Sequence, residues 1–510
     1  MIRKTVLTVI ITIMVSTFTF AQNYYLGVDN GSQQGCITCH PTKVTEWKMS
    51  MHSVAQDSLV SNPGYKGYCL PCHNTGWDVN VVNYGADEYV TINPNQTWLV
   101  NDETNFNRVK NVQCESCHGP KGTANHTVDF GHMSQPNDYS AANCGVCHEG
   151  THHPYYSEWQ QSLHASGPPS SVTNRQTRGA CFKCHYAQDY IAYLANPNYD
   201  YTNFVPDGNL EIITCVTCHD PHGNNNPGNL RVSQQGQSVC DVCHTSQVTG
   251  PVNVNTTPHH ATSDAYSGSP YFGYQYPGQT YQNSVHTNLQ ERCVACHVHT
   301  SPYISETQPA VTGHKFEPRV EACEECHTDF IATVDTSNHK KRFDYRGTQT
   351  LIKSLMSQLQ AKLDAATSAD SATFEFKAAK YNLSSVDAEG SHGIHNTKLV
   401  KKLLEDALAN FNPTGVEVEN GLPTDFSLSQ NYPNPFNPST TIKFELPKES
   451  NVKLTIFDAL GKKVAVLVDE NMSAGIYRYT WNAEGNSSGI YFFKLEAGNF
   501  TSTRKMMLIK

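Results

Sequence analysis

Apolar and polar positions divide the 510-residue chain into stretches of distinct character. Residues 5–20 form an apolar run behind the basic Arg3-Lys4, and Thr19-Phe20-Ala21 offers a cleavage site before Gln22. That order of basic, apolar and small residues predicts a secretory signal over residues 1–21. The alternative is a single membrane anchor, for which a run broken by Thr and Ser is short. From residue 346 to about 411 the pattern turns helical. Leu351, Ile352, Leu355, Met356, Leu359 and Leu363 recur at helical spacing, as do Leu399, Val400, Leu403, Leu404 and Leu408, which predicts a helical pair packed on what precedes it. Residues 412–425 carry Pro, Gly and polar side chains and read as a linker. Beyond them the period drops to two, in residues 451–456 and 489–495, with turn signals at Leu460-Gly461-Lys462 and Ala497-Gly498-Asn499. An antiparallel β-sandwich over residues 426–510 follows.

Composition changes the picture for residues 22–345. Hydrophobic residues make up 38% of the chain and charged residues 16%, both low for a protein with a large conventional core. The chain also has 18 cysteines and 24 histidines. Every cysteine falls in a Cys-x-x-Cys-His motif. The nine copies are Cys36, Cys39 and His40; Cys69, Cys72 and His73; Cys114, Cys117 and His118; Cys144, Cys147 and His148; Cys181, Cys184 and His185; Cys215, Cys218 and His219; Cys240, Cys243 and His244; Cys293, Cys296 and His297; and Cys323, Cys326 and His327.

Two thiols three positions apart can add to the two vinyl groups of one porphyrin, and the adjacent His then reaches the iron. One copy would compete with a zinc pair or a redox Cys-x-x-Cys. Nine copies with no cysteine left over point to nine covalently attached haems c. A disulfide framework would not need a His after every second cysteine. Nine porphyrins within residues 36–327 would replace an aliphatic core, leaving a mainly α and irregular wrapper of short helices and long loops.

A repeat runs through this region. Glu46-Trp47-Lys48-Met49-Ser50-Met51-His52 matches Glu158-Trp159-Gln160-Gln161-Ser162-Leu163-His164, and Tyr281-Gln282-Asn283-Ser284-Val285-His286 is a looser third copy. The nine motifs thereby group into three triads, beginning at Cys36, Cys144 and Cys240. Fifteen histidines lie outside the motifs. His52, His164 and His286 are the leading distal-ligand candidates. His126, His222, His299, His314 and His395 join them, with His260 preferred over His259. A hydrogen-bonding or exposed histidine is the alternative for each. His132, His152, His153, His339 and His392 remain as spares. Nine irons with two imidazoles each would relay electrons, whereas one open iron would be a catalytic site.

The formal charge is −10, and loss of residues 1–21 removes two more positive charges. Nucleic acid, which needs clustered Lys and Arg, is excluded as a partner. A basic redox partner or a small molecule fits better.

Three resemblances add to this reading. Residues 36 to about 330 resemble the cytochrome c-552/4 family through Cys36–His40 with Trp47, Ser50 and His52, through Cys114-Glu115-Ser116-Cys117-His118-Gly119-Pro120, and through Gly313-His314. The segment around Gly393-Ile394-His395-Asn396 looks like the C-terminal helices of multihaem nitrite and hydroxylamine enzymes, which implies an axial role for His395. No Cys-x-x-Cys-Lys site of the ammonifying nitrite reductases occurs, and no haem-linking tyrosine of the hydroxylamine oxidoreductases can be placed. Residues 426–510 are similar to the type A C-terminal sorting domain of the type IX secretion system. Asn431-Tyr432-Pro433-Asn434-Pro435-Phe436-Asn437-Pro438, Ala474-Gly475-Ile476-Tyr477 and Ser488-Gly489-Ile490-Tyr491 carry that likeness. It implies Sec export, passage across the outer membrane by the type IX machinery, and a place at the cell surface or outside the cell.

The expectation is an exported electron carrier serving redox proteins or extracellular donors and acceptors. The rival is a multihaem oxidoreductase of nitrite, hydroxylamine or tetrathionate type. A structural subunit assembled with other cytochromes is a third reading.

Overall fold

The computed structural model describes residues 25–28, 35–122, 138–206, 209–233, 237–334, 343–413 and 423–509. The expected signal, His126, His132, His339 and most of the expected linker lie outside the described residues. The chain divides into two compact units, residues 1–243 with 290–322, and residues 244–289 with 323–510.

Among the described residues, the first unit is built from short helices, many of a single turn, and one small antiparallel hairpin that pairs Val90–Ile92 with Trp98–Val100. Its apolar interior is split into separate small clusters. Ala86, Tyr89, Phe106 and Val109 form one, Val172, Phe182 and Tyr186 another, and Tyr190, Val239 and Val242 a third. No cluster of this size stabilises a unit of this length by burial alone. Polar clamps hold the loops between clusters. The buried Glu115 carboxylate accepts the backbone N–H groups of Leu26, Gly27 and Lys121. The buried Asp189 carboxylate accepts from Arg175 and from the Tyr199 hydroxyl.

The second unit contains three long helices, α1 (Thr348–Asp364), α2 (Phe374–Glu389) and α3 (Thr397–Asn410). The leucine-rich stretches become α1 and α3. Ile352, Leu355, Leu359 and Leu363 are the buried stripe of α1, and Leu399, Val400, Leu403 and Leu404 that of α3. Leu351 faces solvent. Helix α2 joins them with a buried face of Ala378, Ala379, Tyr381, Asn382, Ser385 and Val386, too small and polar to register as leucine periodicity. Thr373 caps α2 and Asn396 caps α3. Ala261, Ala265 and Phe272 pack into the same core.

The C-terminal region is all β. Its strands are β1 (Ser427–Leu428), β2 (Ser439–Leu446), β3 (Ser450–Asp458), β4 (Lys463–Met472), β5 (Gly475–Asn482), β6 (Gly489–Ala497) and β7 (Phe500–Leu508). They form a three-stranded sheet, β1-β2-β5, and a four-stranded sheet, β4-β3-β6-β7, antiparallel throughout. Alternate residues of both sheets enter one core, including Ile442, Phe444, Leu454, Ile456, Phe493 and Leu495, as the period of two requires. Among the described residues no helix is long and apolar enough to cross a membrane.

Candidate haem centres

The motifs themselves fold as single helical turns. Helices span Cys36–Cys39, Cys114–His118, Cys215–Cys218 and Cys293–His297, and the fifth motif ends the helix Arg175–His185. In several copies the His N–H donates to the carbonyl of the first Cys, at 2.8 Å for His40, 2.9 Å for His148, 3.0 Å for His219 and 2.8 Å for His327. A helical turn brings positions i, i+3 and i+4 to one face. Both thiols and the imidazole therefore share a side, as thioether attachment plus iron ligation demands. None of the 18 cysteines is in a disulfide, so each is available for thioether attachment.

Motifs distant in sequence meet through these thiols. Cys36 lies against Cys114, Cys72 against Cys147, Cys144 against Cys215, Cys184 against Cys243 and Cys240 against Cys293. Cys117 also senses the charge of Cys144, and Cys218 that of Cys240. The first, third, fourth, sixth, seventh and eighth motifs thus follow one another in a line. The second joins it at the fourth and the fifth at the seventh.

Six of the motif histidines face other histidines across a nearly constant gap. Ring centroids are 6.0 Å apart for His148 and His52, 6.5 Å for His73 and His153, 6.1 Å for His118 and His222, and 6.0 Å for His219 and His314 in the first unit. In the second unit they are 6.2 Å apart for His244 and His260 and 6.0 Å for His327 and His286. Two metal–imidazole bonds of about 2.0 Å, extended by the ring radius at each end, put two trans imidazoles roughly 6 Å apart. The six pairs fit a six-coordinate iron between them.

Tautomers agree with that fit. The Nδ1 atoms of His73, His219, His286, His297 and His314 lie 2.9, 2.6, 2.7, 2.9 and 3.0 Å from the backbone carbonyls of Ala55, Gly228, Ile394, Phe316 and Thr312. A carbonyl only accepts, so Nδ1 carries the proton and Nε2 keeps its lone pair for a metal. Burial holds His52, His118, His153, His219, His314 and His327 below the ordinary imidazole range. His148 falls to about 4 through burial and then the neighbouring charges of His52, His153, His219 and His314. Neutral imidazole is the ligating form.

The repeat explains how the pairs are aimed. Trp47 donates its indole N–H to the Val112 carbonyl at 2.9 Å, and Trp159 donates to that of Ile213 at 3.0 Å. Each tryptophan thereby ties its His-bearing turn to the residue two before the third motif of its own triad. Ser50 and Ser162 each donate back to the preceding tryptophan carbonyl at 2.7 Å. In the third copy Tyr281 donates to Asp406 and the Ser284 N–H to the Asn396 side chain. Glycines allow two close approaches. A Cβ on Gly313 (φ +73°) would meet the Val298 backbone at 2.6 Å, and one on Gly223 (φ +94°) would meet the Glu46 carbonyl at 2.6 Å. His314 and His222 sit beside them. Glu158 accepts the N–H groups of Thr312 and His314 and fixes the first of these loops.

Five of the distal candidates, His52, His222, His260, His286 and His314, therefore face a motif histidine. The sixth partner, His153, is one of the spare histidines. Its doublet with His152 gives no sequence cue to which ring points inward, and His152 instead stacks on Tyr303 at 3.7 Å. His164 is held low by burial and lies 4.8 Å from the Phe316 ring, the residue whose carbonyl accepts from His297. His299 lies close enough to Glu321 to help lower its carboxyl, after the larger effect of Arg319. His395 directs Nδ1 at the Glu389 carboxylate, 2.9 Å away.

Comparisons with known proteins agree with this architecture. Residues 35–119 match the model of cytochrome c554 and c-prime, residues 210–249 that of the doubled CXXCH motif, residues 252–434 that of cytochrome c552, and residues 430–510 that of the secretion system C-terminal sorting domain. No curated protein matches. Among solved structures, the undecahaem cytochrome from the S-layer of Carboxydothermus ferrireducens is 18% identical, with 76% of this chain and 69% of that one covered and a TM-score of 0.51. The outer cell wall cytochrome OcwA is 21% identical, with 67% and 75% covered and a TM-score of 0.46. Fold and motifs define a multihaem c-type cytochrome that binds haem c covalently. Its C-terminal region is a type IX sorting domain, and the chain is exported by that route to the cell surface.

Proposed function

We propose that this protein carries nine haems c, one on each Cys-x-x-Cys-His motif, and conducts electrons among them at the cell surface. The six histidine pairs spaced for a six-coordinate iron are the observation that carries this reading. An iron with two imidazoles takes up and gives up electrons without binding substrate. His52, His153, His222, His260, His286 and His314 are the distal ligands of those six irons. His126, His164, His299 and His395 remain candidate distal ligands.

The line of thiol contacts supports a relay through the first eight motifs, with two side branches. Haem c supplies the reversible ferric–ferrous couple. The chain's own contribution is to fix imidazoles such as His73, His219, His286, His297 and His314 by their Nδ1 hydrogen bonds, to exclude water by burial, and to keep neighbouring sites close. Residues 22–345 form the haem-bearing part, 346–411 brace it, 412–425 link it, and 426–510 address it to the type IX machinery. The electron partners are redox proteins or extracellular donors and acceptors.

The test combines a haem count with acceptor specificity. Pyridine haemochrome absorbance and intact mass should give nine haems per chain. The fully reduced protein should be reoxidised by a soluble ferric chelate and should not turn over nitrite, hydroxylamine or tetrathionate. Fewer haems would refute the count, and steady turnover of any of those three substrates would replace the carrier reading with the enzyme reading.

A further inference from the structure

The repeat carries a second regularity beside its histidines. The residue just before each is apolar, and the polypeptide leaves it in the open: Met51 is 67% exposed, Leu163 89% and Val285 74%. A single exposed apolar side chain is ordinary. Three at one position of a repeat are not, because each sits in the same local structure. Ser50, Ser162 and Ser284 are extended, and each leads into a 3-10 turn, over Met51–Val54, Leu163–Ser166 and Val285–Asn288.

Two of these turns are fixed in the same way. The Ser53 hydroxyl donates to the Ser50 carbonyl at 2.8 Å, and the Thr287 hydroxyl donates to that of Ser284 at 2.9 Å. Their imidazoles are fixed as well. His286 directs Nδ1 at the Ile394 carbonyl, 2.7 Å away, and His52 is hydrogen-bonded to the Pro221 backbone. Each ring faces a motif histidine of its own unit at 6.0 Å, His148 for His52 and His327 for His286. Leu163 stands in the same kind of turn, but the residues that adjoin a described histidine pair are Met51 and Val285.

A porphyrin held between two trans imidazoles lies across the bond from iron to each ring, and it is far broader than either. It therefore spreads over the residues that adjoin each axial histidine. An apolar side chain there gains burial that the chain itself does not give it, and it keeps water from the macrocycle. Dry surroundings favour the ferrous state, whose core carries one positive charge fewer.

We propose that Met51 and Val285 pack on the haems ligated by His52 and His286, shield them from water and raise their potentials. This rests on the reading of those two histidines as axial ligands. The exposure of both side chains then marks where a porphyrin lies, and not a surface for a protein partner.

Hydroxyl-radical footprinting of the full holoprotein, read by peptide mass spectrometry, tests the contact within residue types. Met51 should be modified more slowly than Met49, although the polypeptide leaves Met49 only 45% exposed. Val285 should be modified several-fold more slowly than Val79, which is 76% exposed. Modification of Met51 ahead of Met49, or of Val285 at the rate of Val79, overturns the proposal. Spectropotentiometry ties the protection to haem. Val285→Thr keeps the shape and adds a hydroxyl, so one component of the redox titration should move to lower potential. An unmoved titration means that something other than a porphyrin covers Val285, and it overturns the proposal too. Should that variant fail to mature, Met51→Gln is read in the same way. His52→Ala and His286→Ala keep the two readings apart, because each should create one high-spin ferric iron. A variant that creates none removes the ligand assignment at its site; if both create one while Met51 and Val285 are modified freely, only the packing fails.

Discussion

The imidazole planes of His118 and His222 lie within 8° of parallel, with their centroids 6.1 Å apart. His219 and His314 are similar at 24°. By contrast, the planes cross at 71° for His244 and His260 and at 81° for His286 and His327. Parallel axial planes on low-spin ferric iron give rhombic EPR signals, and crossed planes give strongly anisotropic ones with a large principal g value. Both classes should therefore appear in one spectrum. His222→Ala should convert one rhombic signal to high spin and leave the anisotropic class intact, whereas His260→Ala should do the reverse.

The two halves of the His152–His153 doublet should separate cleanly. His153 faces His73 at 6.5 Å, and His152 stacks on Tyr303. His153→Ala should yield one haem's worth of high-spin iron, and His152→Ala should yield none. Quantified EPR of the two variants, at equal haem loading, is the check.

Trp47 and Trp159 perform one task in two copies of the repeat. Replacing either by Phe keeps the ring and strands a partly buried carbonyl, that of Val112 or Ile213. Each variant should lose about 1–3 kcal/mol of stability, and the two losses should be similar. Denaturant unfolding of the holoprotein measures both.

Asp57 links stability to pH. Its carboxylate accepts from Asn111 at 2.8 Å and pairs with Lys110 at 2.9 Å. Partial burial would raise its pKa, yet these partners hold it below the ordinary carboxylate value. A carboxyl depressed on folding stabilises above its unfolded pKa, and that contribution is lost as pH falls through the folded one. Asp57→Asn should therefore lower the melting temperature at pH 7 and make no difference once both states are protonated. Solvent screening at a side chain 46% exposed keeps the effect under about 1 kcal/mol. Melting curves of both proteins across acid pH would show the difference closing.

Much of this molecule was legible in its sequence because the chemistry is local. Cys-x-x-Cys-His fits one helical turn, so each motif states its own geometry. The alternation in β3 and β6 reads directly as one buried face. The histidine pairs were a different matter. His52 precedes Cys69 in the chain, yet its ring faces His148; His219 faces His314. Such pairs form between loops brought together by tertiary clamps such as Glu158 on the His314 loop, and spacing along the chain carries no trace of them. Helix α2 escaped notice for a related reason. Its buried face uses Ala378, Ala379, Asn382 and Ser385, which pack because their neighbours are close, not because they are apolar. The third repeat copy was faint because Tyr281 and Ser284 changed partners, from a backbone carbonyl to side chains of α3 and its cap.

Low-temperature EPR of the fully haem-loaded protein at neutral pH, with spins quantified against total iron, is the most direct measurement. Low-spin ferric signals accounting for all the iron would establish that every axial position is filled, as an electron relay requires. A high-spin signal equal to about one-ninth of the haem would contradict it and mark an open iron.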